Sequence, residues 1–331
     1  MTEKSTLLHI TNGDAAIKVM RMAGFTNPIL SWLDILHDGP VPEGLDLAEL
    51  SRRRATFVHE CGFTDLATAQ KSFRARDDIL ENCHSFQTIF LWFEPDLFDQ
   101  LQLLQILSEL GRLGHDGVWL IQSNHYLGRL RPEELPAIRQ TRHPVTKELY
   151  DLASRAWAAF RASKPDQWAN LLTQETALMP FLQSAIVRHL EHYPDPRHGL
   201  NRTQRQILES IKEGASQRWS LFQACQDKEE YPFMGDASFW LYLDELTHGQ
   251  AVARDSQEGF LLTSLGHALL DQQTNWIHHQ GLNRWLGGVH LTLEHVWYWD
   301  TDKQELFGKD AVRGEANVYF PAVRPQGEHF S

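Results

Sequence analysis

The chain has 331 residues, room for two or three domains with buried cores, and three cysteines, Cys61, Cys83 and Cys225, too widely spaced for a disulfide framework or a zinc knuckle. A formal net charge of −12 disfavours a surface that wraps polyanionic nucleic acid. No apolar run approaches the roughly 20 residues that cross a bilayer, and Met1-Thr2-Glu3-Lys4-Ser5 lacks the basic start and apolar stretch of a signal peptide, so a soluble, cytoplasmic protein is expected.

Residues 1–135 alternate strand-like and helix-like patterns, which predicts a Rossmann-like α/β domain built on a parallel sheet covered on both faces. The first strand-like run, Leu7-Leu8-His9-Ile10, leads into Asn12-Gly13-Asp14; Asp14 is expected to cap a helix over 15–23, with Gly24 as its left-handed stop. After the second run, Pro28-Ile29-Leu30-Ser31-Trp32, come Asp34, His37 and Asp38 in a turn stiffened by Gly39 and Pro40. A helix is expected over 46–61, ending at Gly62. The third run, Ile89 to Phe93, precedes Glu94, Asp96 and Asp99 and a helix whose leucines run from Leu97 to Leu110 before Gly111. The fourth run, Val118-Trp119-Leu120-Ile121, precedes Asn124 and His125.

If these four runs are parallel neighbours, their polar clusters converge at the carboxyl edge of one open sheet, where such sheets bind ligands. His9-Ile10-Thr11-Asn12-Gly13-Asp14 carries one glycine and so is not a dinucleotide fingerprint; an acid at Asp14 suits a metal ion or a ribose hydroxyl better than a bare phosphate, and equally suits a simple helix cap with His9 as a core residue. In the turn after the second run, His37 flanked by Asp34 and Asp38 can serve as a general base or a ligand oriented by an acid; the plain alternative is a turn whose acids face water. Three carboxylates within six residues, Glu94, Asp96 and Asp99, can share a divalent ion. Helix-start electrostatics suffices for Asp99 and fits Glu94 less well. Arg52, Arg53 and Arg54 fan out by roughly 100° each, so that Arg52 or Arg54, not all three, could bind an anionic group; a solvated face is the default.

Residues 136–199 read as a helical connector with Trp157, Phe160, Trp168, Phe181 and Leu182 as core candidates, closed by a linker at 193–199. Residues 200–272 read as a winged-helix-like domain: a helix capped by Asn201, a second holding Trp219 and Phe222, a third from Asp236, then a hairpin. The third helix contains no Lys or Arg, and 200–270 hold six basic and ten acidic residues, which makes DNA reading unlikely and favours protein packing or a homodimer. Residues 273–331 are expected to pack back, with Arg284 and His290 flanking Gly287-Gly288 as candidate ligand groups and a polar, poorly ordered or surface-wrapped tail after Asp300.

Taken together, His9 to Asp14, Trp32 to Pro42, Leu91 to Gln100, Phe233-Met234-Gly235-Asp236 and Arg284 to His290 resemble an uncharacterised bacterial family known only as a domain of unknown function. The resemblance implies architecture and a candidate site but no activity; Pro95 stands where that family is expected to carry a His. The candidate catalytic groups are His37, Asp38, Glu94 and Asp14, and the candidate metal ligands Asp14, Asp38 and Glu94. His9, Asn12, Gly13, Asp34, Arg52, Arg54, Arg284 and His290 are the candidate ligand-binding groups. The expected function is a metal-assisted or acid–base enzyme, such as a hydrolase, acting on a small phosphorylated or nucleotide-like molecule; a ligand-sensing regulator or adaptor that uses the winged helix is the alternative. The cofactor is not given by the sequence, although a divalent metal fits the carboxylates.

Overall fold

The computed structural model describes the backbone of residues 6–310 and 318–321 and the side chains of residues 6–308. It divides into one unit of residues 1–163 and 176–185 and another of 164–175 and 186–331.

The first unit is mixed α/β. Its elements are β1 (Leu7–Thr11), α1 (Asp14–Met22), β2 (Ile29–Ser31), β3 (Gly39–Pro40), α2 (Leu47–Glu60), α3 (Leu66–Glu81), β4 (Thr88–Phe93), α4 (Leu97–Leu113), β5 (Val118–Gln122), α5 (Leu135–Gln140), β6 (His143–Pro144) and α6 (Lys147–Arg161). Five strands form one sheet in the order β2-β1-β4-β5-β6. The first four are parallel, with His9 opposite Ile29 and Phe90, and Phe90 opposite Trp119; β6 runs antiparallel at the edge. From β1 the chain steps one way to β2 and later the other way to β4, which puts the reversal of strand order between β1 and β4.

Strand alternation sorts the core. Phe90, Trp92 and Ile121 pack with Ala16, Val19 and Met20 of α1 and with Leu127 and Leu135. Leu8, Ile10, Ile89, Leu91 and Phe93 alternate with these and are equally buried, the mark of a parallel sheet covered on both faces. On α4, Leu101, Leu103, Leu104, Ile106, Leu107 and Leu110 are fully buried, as a helix sandwiched between β4 and α6 requires.

Helix ends follow local chemistry. Asp46 accepts from the Glu49 N–H while Glu49 reaches back to the Asp46 N–H, the capping box that opens α2. Asp14 is the first helical residue of α1; the cap position falls to Gly13, whose extended backbone offers no side-chain acceptor. α4 runs past Gly111 and stops at Gly114, which takes the left-handed conformation (φ 68°). At Gly111 a Cβ would lie 3.1 Å from the Tyr150 ring, so this glycine serves close packing of α4 on α6.

The second unit starts from α7 (Asp166–Asn170) and the later part of α8 (Leu182–Leu190), followed by a turn at 193–199 in which Tyr193, Asp195 and His198 are buried. That segment is an internal corner of the unit: Asp195 donates its N–H to the Leu200 carbonyl and accepts from Arg197. Next come α9 (Arg202–Lys212), capped by Asn201 in a second capping box with Gln204, then α10 (Arg218–Gln226) and α11 (Asp236–His248). The antiparallel pair β7 (Val252–Arg254) and β8 (Phe260–Leu262) precedes α12 (Ser264–Leu270) and α13 (Trp276–Gln280). β9 (Asn283–Gly287) and β10 (Val289–Thr292) pair antiparallel, and β11 (His295–Asp300), β12 (Glu305–Asp310) and β13 (Val318–Pro321) form an antiparallel sheet. Within the tail expected after Asp300 to be poorly ordered or surface-wrapped, the backbone of 305–310 and 318–321 pairs in register; residues 311–317 and 322–331 lie outside the described residues. No helix among the described residues is long and apolar enough to cross a membrane.

Candidate functional site

At the carboxyl ends of β1 and β4, where the strand order reverses, Glu94, Asp96 and Asp99 bring carboxylate oxygens within 4.8 Å of one another. All three are buried, with relative exposures of 4, 3 and 0%. The local sequence explains how. Glu94 is the first residue beyond β4, Pro95 fixes the turn, Asp96 caps α4 by accepting from the Asp99 N–H at 3.0 Å, and Asp99 turns back from the first helical turn.

Asp99 accepts from the Glu94 N–H at 2.6 Å through Oδ2 and from Asn12 Nδ2 at 2.8 Å through Oδ1, so the end of β1 is tied to the start of α4. Glu94 Oε1 accepts the Leu127 N–H at 2.7 Å, and Gln100 Nε2 donates to the Glu94 carbonyl at 2.7 Å. None of the three carboxylates forms a salt bridge among the described residues.

Buried anions without a counter-cation resist ionisation. Burial pushes Glu94 up to about 7 against the pull of the Leu127 N–H and Asn12. Asp96 rises to about 8 through burial and then through the Glu94 charge. Asp99 is held well above the ordinary carboxylate range by burial, Asp96 and Glu94 in that order. The Tyr126 hydroxyl is also pushed up, by burial and then by Asp96 and Glu94, and it has no hydrogen-bond partner among the described residues. The cluster thus needs either protons or a cation, and three hard oxygen donors at this spacing suit a divalent ion such as Mg²⁺ or Mn²⁺.

The turn after β2 is built differently. Asp34, fully buried, accepts from Arg54 Nε at 2.9 Å, with Arg76 Nη1 at 3.7 Å from its other oxygen. Arg54, also fully buried, donates to the carbonyls of Ile35 and Asp38 at 2.9 and 2.8 Å, and Arg76 lies over the Trp32 ring at 4.0 Å. Trp32 Nε1 reaches Gln105 Oε1 at 2.9 Å, and Gln102 Nε2 reaches the Asp34 carbonyl at 3.1 Å, pinning the turn onto α4. Within it His37 is buried with its ring edge-on to Phe98, 6.1 Å between centroids, and Asp38 is half-buried.

Of the residues singled out from the sequence, the fold therefore gathers Glu94 and Asn12 into one network and brings His37 against the first turn of the same helix. Asp14 stands exposed at the head of α1, beside Gly13. Asp34 and Arg54 are spent on each other, and Arg52 is exposed on α2. His9 sits inside β1, accepting from Trp92 Nε1 at 3.1 Å; burial, then Arg139 and Arg21, lowers it to about 4, so its ring is neutral. Arg284 and His290 belong to the second unit, Arg284 paired with Glu245 and His290 stacked on Trp285 at 4.5 Å. The sequence reading left Asp99 to helix electrostatics and did not single out Tyr126 or the Leu127 N–H. The Glu-x-Asp-x-x-Asp spacing was the available signal for the first; the others follow only from how the chain returns after β5.

No family model matches the chain, and a search of curated proteins finds no significant match.

Proposed function

We propose that the carboxyl edge between β1 and β4 of a Rossmann-like sheet binds a divalent cation through Glu94, Asp96 and Asp99 and acts on a small phosphorylated or nucleotide-like molecule. The observation that carries this reading is the burial of three mutually close carboxylates with no basic side chain in salt-bridge range. Each ionised carboxyl in such a place costs several kcal/mol, and a pair of charges 4.8 Å apart repels by about 3 kcal/mol at an effective dielectric near 20. A divalent ion removes both penalties and draws the oxygens together.

The phosphate side of the reading rests on α1. Its first turn has no side-chain cap among the described residues, which leaves first-turn backbone N–H groups beside Asn12 for a ligand, and a helix N-terminus favours an anion. Asp14 opposes a bare phosphate there, and a bound cation offsets it. A cation held by Glu94, Asp96 and Asp99 would supply Lewis-acid polarisation of a phosphoryl group, while the α1 amides would hold its oxygens and His37 or Tyr126 would move the proton. The test is a manganese titration of metal-stripped protein by calorimetry: one site in the native chain and at least tenfold weaker binding in both Glu94→Gln and Asp96→Asn support the reading. Native affinity in both folded variants would remove it.

A second reading draws on the second unit. The order α9, α10, α11, β7, β8 supports a winged-helix reading, and Trp219 is 64% exposed, edge-on to Trp240, whose ring carries Arg218 at 4.2 Å. Such a surface suits a regulator or adaptor that contacts protein. A gel-shift series at low salt tests its DNA version, which a complete absence of shifted complex would end.

A further inference from the structure

A cavity of about 520 Å³ opens on the α1 face of the first unit's sheet, toward the end opposite the carboxylates: Leu7 and His9 of β1 line it together with the loop leading into β2, and Arg139 and Arg142 close it from the α5 side. Its chemistry contrasts with that of an acidic chain. Arg139 lies 5.1 Å from the Phe90 ring centroid and Arg142 5.4 Å from that of Trp119, so each guanidinium is laid on an aromatic face. Neither pairs with a carboxylate among the described residues. Arg21 adds a third positive charge behind the wall, where it donates to the carbonyls of Phe25 and Asn27 at 2.6 and 2.8 Å and so fixes the loop. His9 is 1% exposed; its Nδ1 accepts from Trp92, which leaves the proton on Nε2, and Nε2 has no partner among the described residues. A buried donor without an acceptor is costly.

The geometry points to a site for a small amphipathic organic anion, its carboxylate or phosphate held by Arg139 and Arg142 and its apolar body against Leu7, Phe25 and Pro136, with His9 donating from the floor. The volume is that of an ordinary small-molecule pocket. Cations already fixed over rings lose little freedom when they bind an anion, and the neutral imidazole recognises an acceptor without adding charge. This site is independent of the proposed cation centre: Trp92 stands between His9 and the strand end, and no carboxylate of the cluster lines the cavity.

Calorimetric titration with benzoate and phenyl phosphate, against neutral benzamide, tests it. Expected is one site for at least one of the two anions, at least tenfold tighter than benzamide, with binding weakened about tenfold or more by Arg139→Gln or Arg142→Gln and lost in the double variant. Glu94→Gln should leave this binding unchanged. Arg139 is half-buried and Arg142 exposed, so both variants keep the core; their melting curves verify that. Benzamide binding as well as the anions, no binding of either anion at millimolar concentration, anion binding that survives the double variant, or binding that fails in folded Glu94→Gln would overturn the assignment.

Discussion

Stripping divalent cations and raising the pH from 6.5 to 8 should destabilise the protein, because the carboxyl cluster then loses protons that its burial demands. Glu94 is raised to about 7, Asp96 to about 8, and Asp99 well above its ordinary value, each with burial as the leading cause. In the unfolded chain these groups are ionised throughout that range, so the folded state holds protons the unfolded state lacks. Their contribution is complete below the unfolded carboxylate pKa and is lost as pH rises through the folded values. Each proton held only in the folded state is worth about 1.4 kcal/mol per pH unit, and summing over the titration of Glu94 and Asp96 alone gives a loss of roughly 2 kcal/mol across this window, which Asp99 can only deepen. His9 and His198, lowered to about 4 mainly by burial, act with the opposite sign but only between about 4 and 6.5, which is why the window starts there. Urea unfolding of chelator-treated protein at three pH values measures the effect. Millimolar Mn²⁺ at pH 8 should restore the lost stability, and Glu94→Gln should shallow the pH dependence. An unfolding free energy that stays flat or climbs from pH 6.5 to 8 in the stripped protein refutes the reasoning.

Three further outcomes follow from the packing. Arg54→Met strands the fully buried Asp34 with only the more distant Arg76 and should cost about 3 to 5 kcal/mol by urea unfolding, whereas replacing both members with apolar residues should cost much less. Gly39→Ala forces a side chain onto φ +78° with its Cβ 2.5 Å from the Phe57 ring, so a loss of about 2 kcal/mol or more is expected, read as a lowered melting temperature. In the second unit Arg188 donates to both oxygens of Glu229 at 2.8 Å and to Thr203 at 2.9 Å; Glu229→Gln should destabilise by about 3 kcal/mol or more, measurable as loss of amide-exchange protection in α8 and α9.

Much of the first unit's architecture could be read from residue patterns. Apolar runs ending in polar clusters located β1, β2, β4 and β5, and their parallel adjacency is what the sheet shows. Apolar spacing located α2, whose observed N-cap is Asp46. What the patterns could not separate was the purpose of similar residues. Gly111 reads like a helix stop, yet its role is steric, against Tyr150, and only tertiary packing decides that. Asp34 and Glu94 both follow strands and both read as site acids. One is neutralised by Arg54 from twenty residues on, whereas the other meets Asp96 and Asp99 with no salt bridge among the described residues, Arg129 acting on it only from a distance. Burial makes the difference between them, and burial is a property of the assembled chain. In the same way the Trp92 indole, an ordinary core residue by pattern, sets the tautomer of His9.

The turn after β2 is anchored by Arg54, Arg76 and Gln102 before anything binds. A molecule arriving beside it meets a rim whose immobilisation entropy was already settled during folding. Association at that rim should be gated by diffusion and desolvation, with a single kinetic phase, because the turn need not reorder to receive the newcomer.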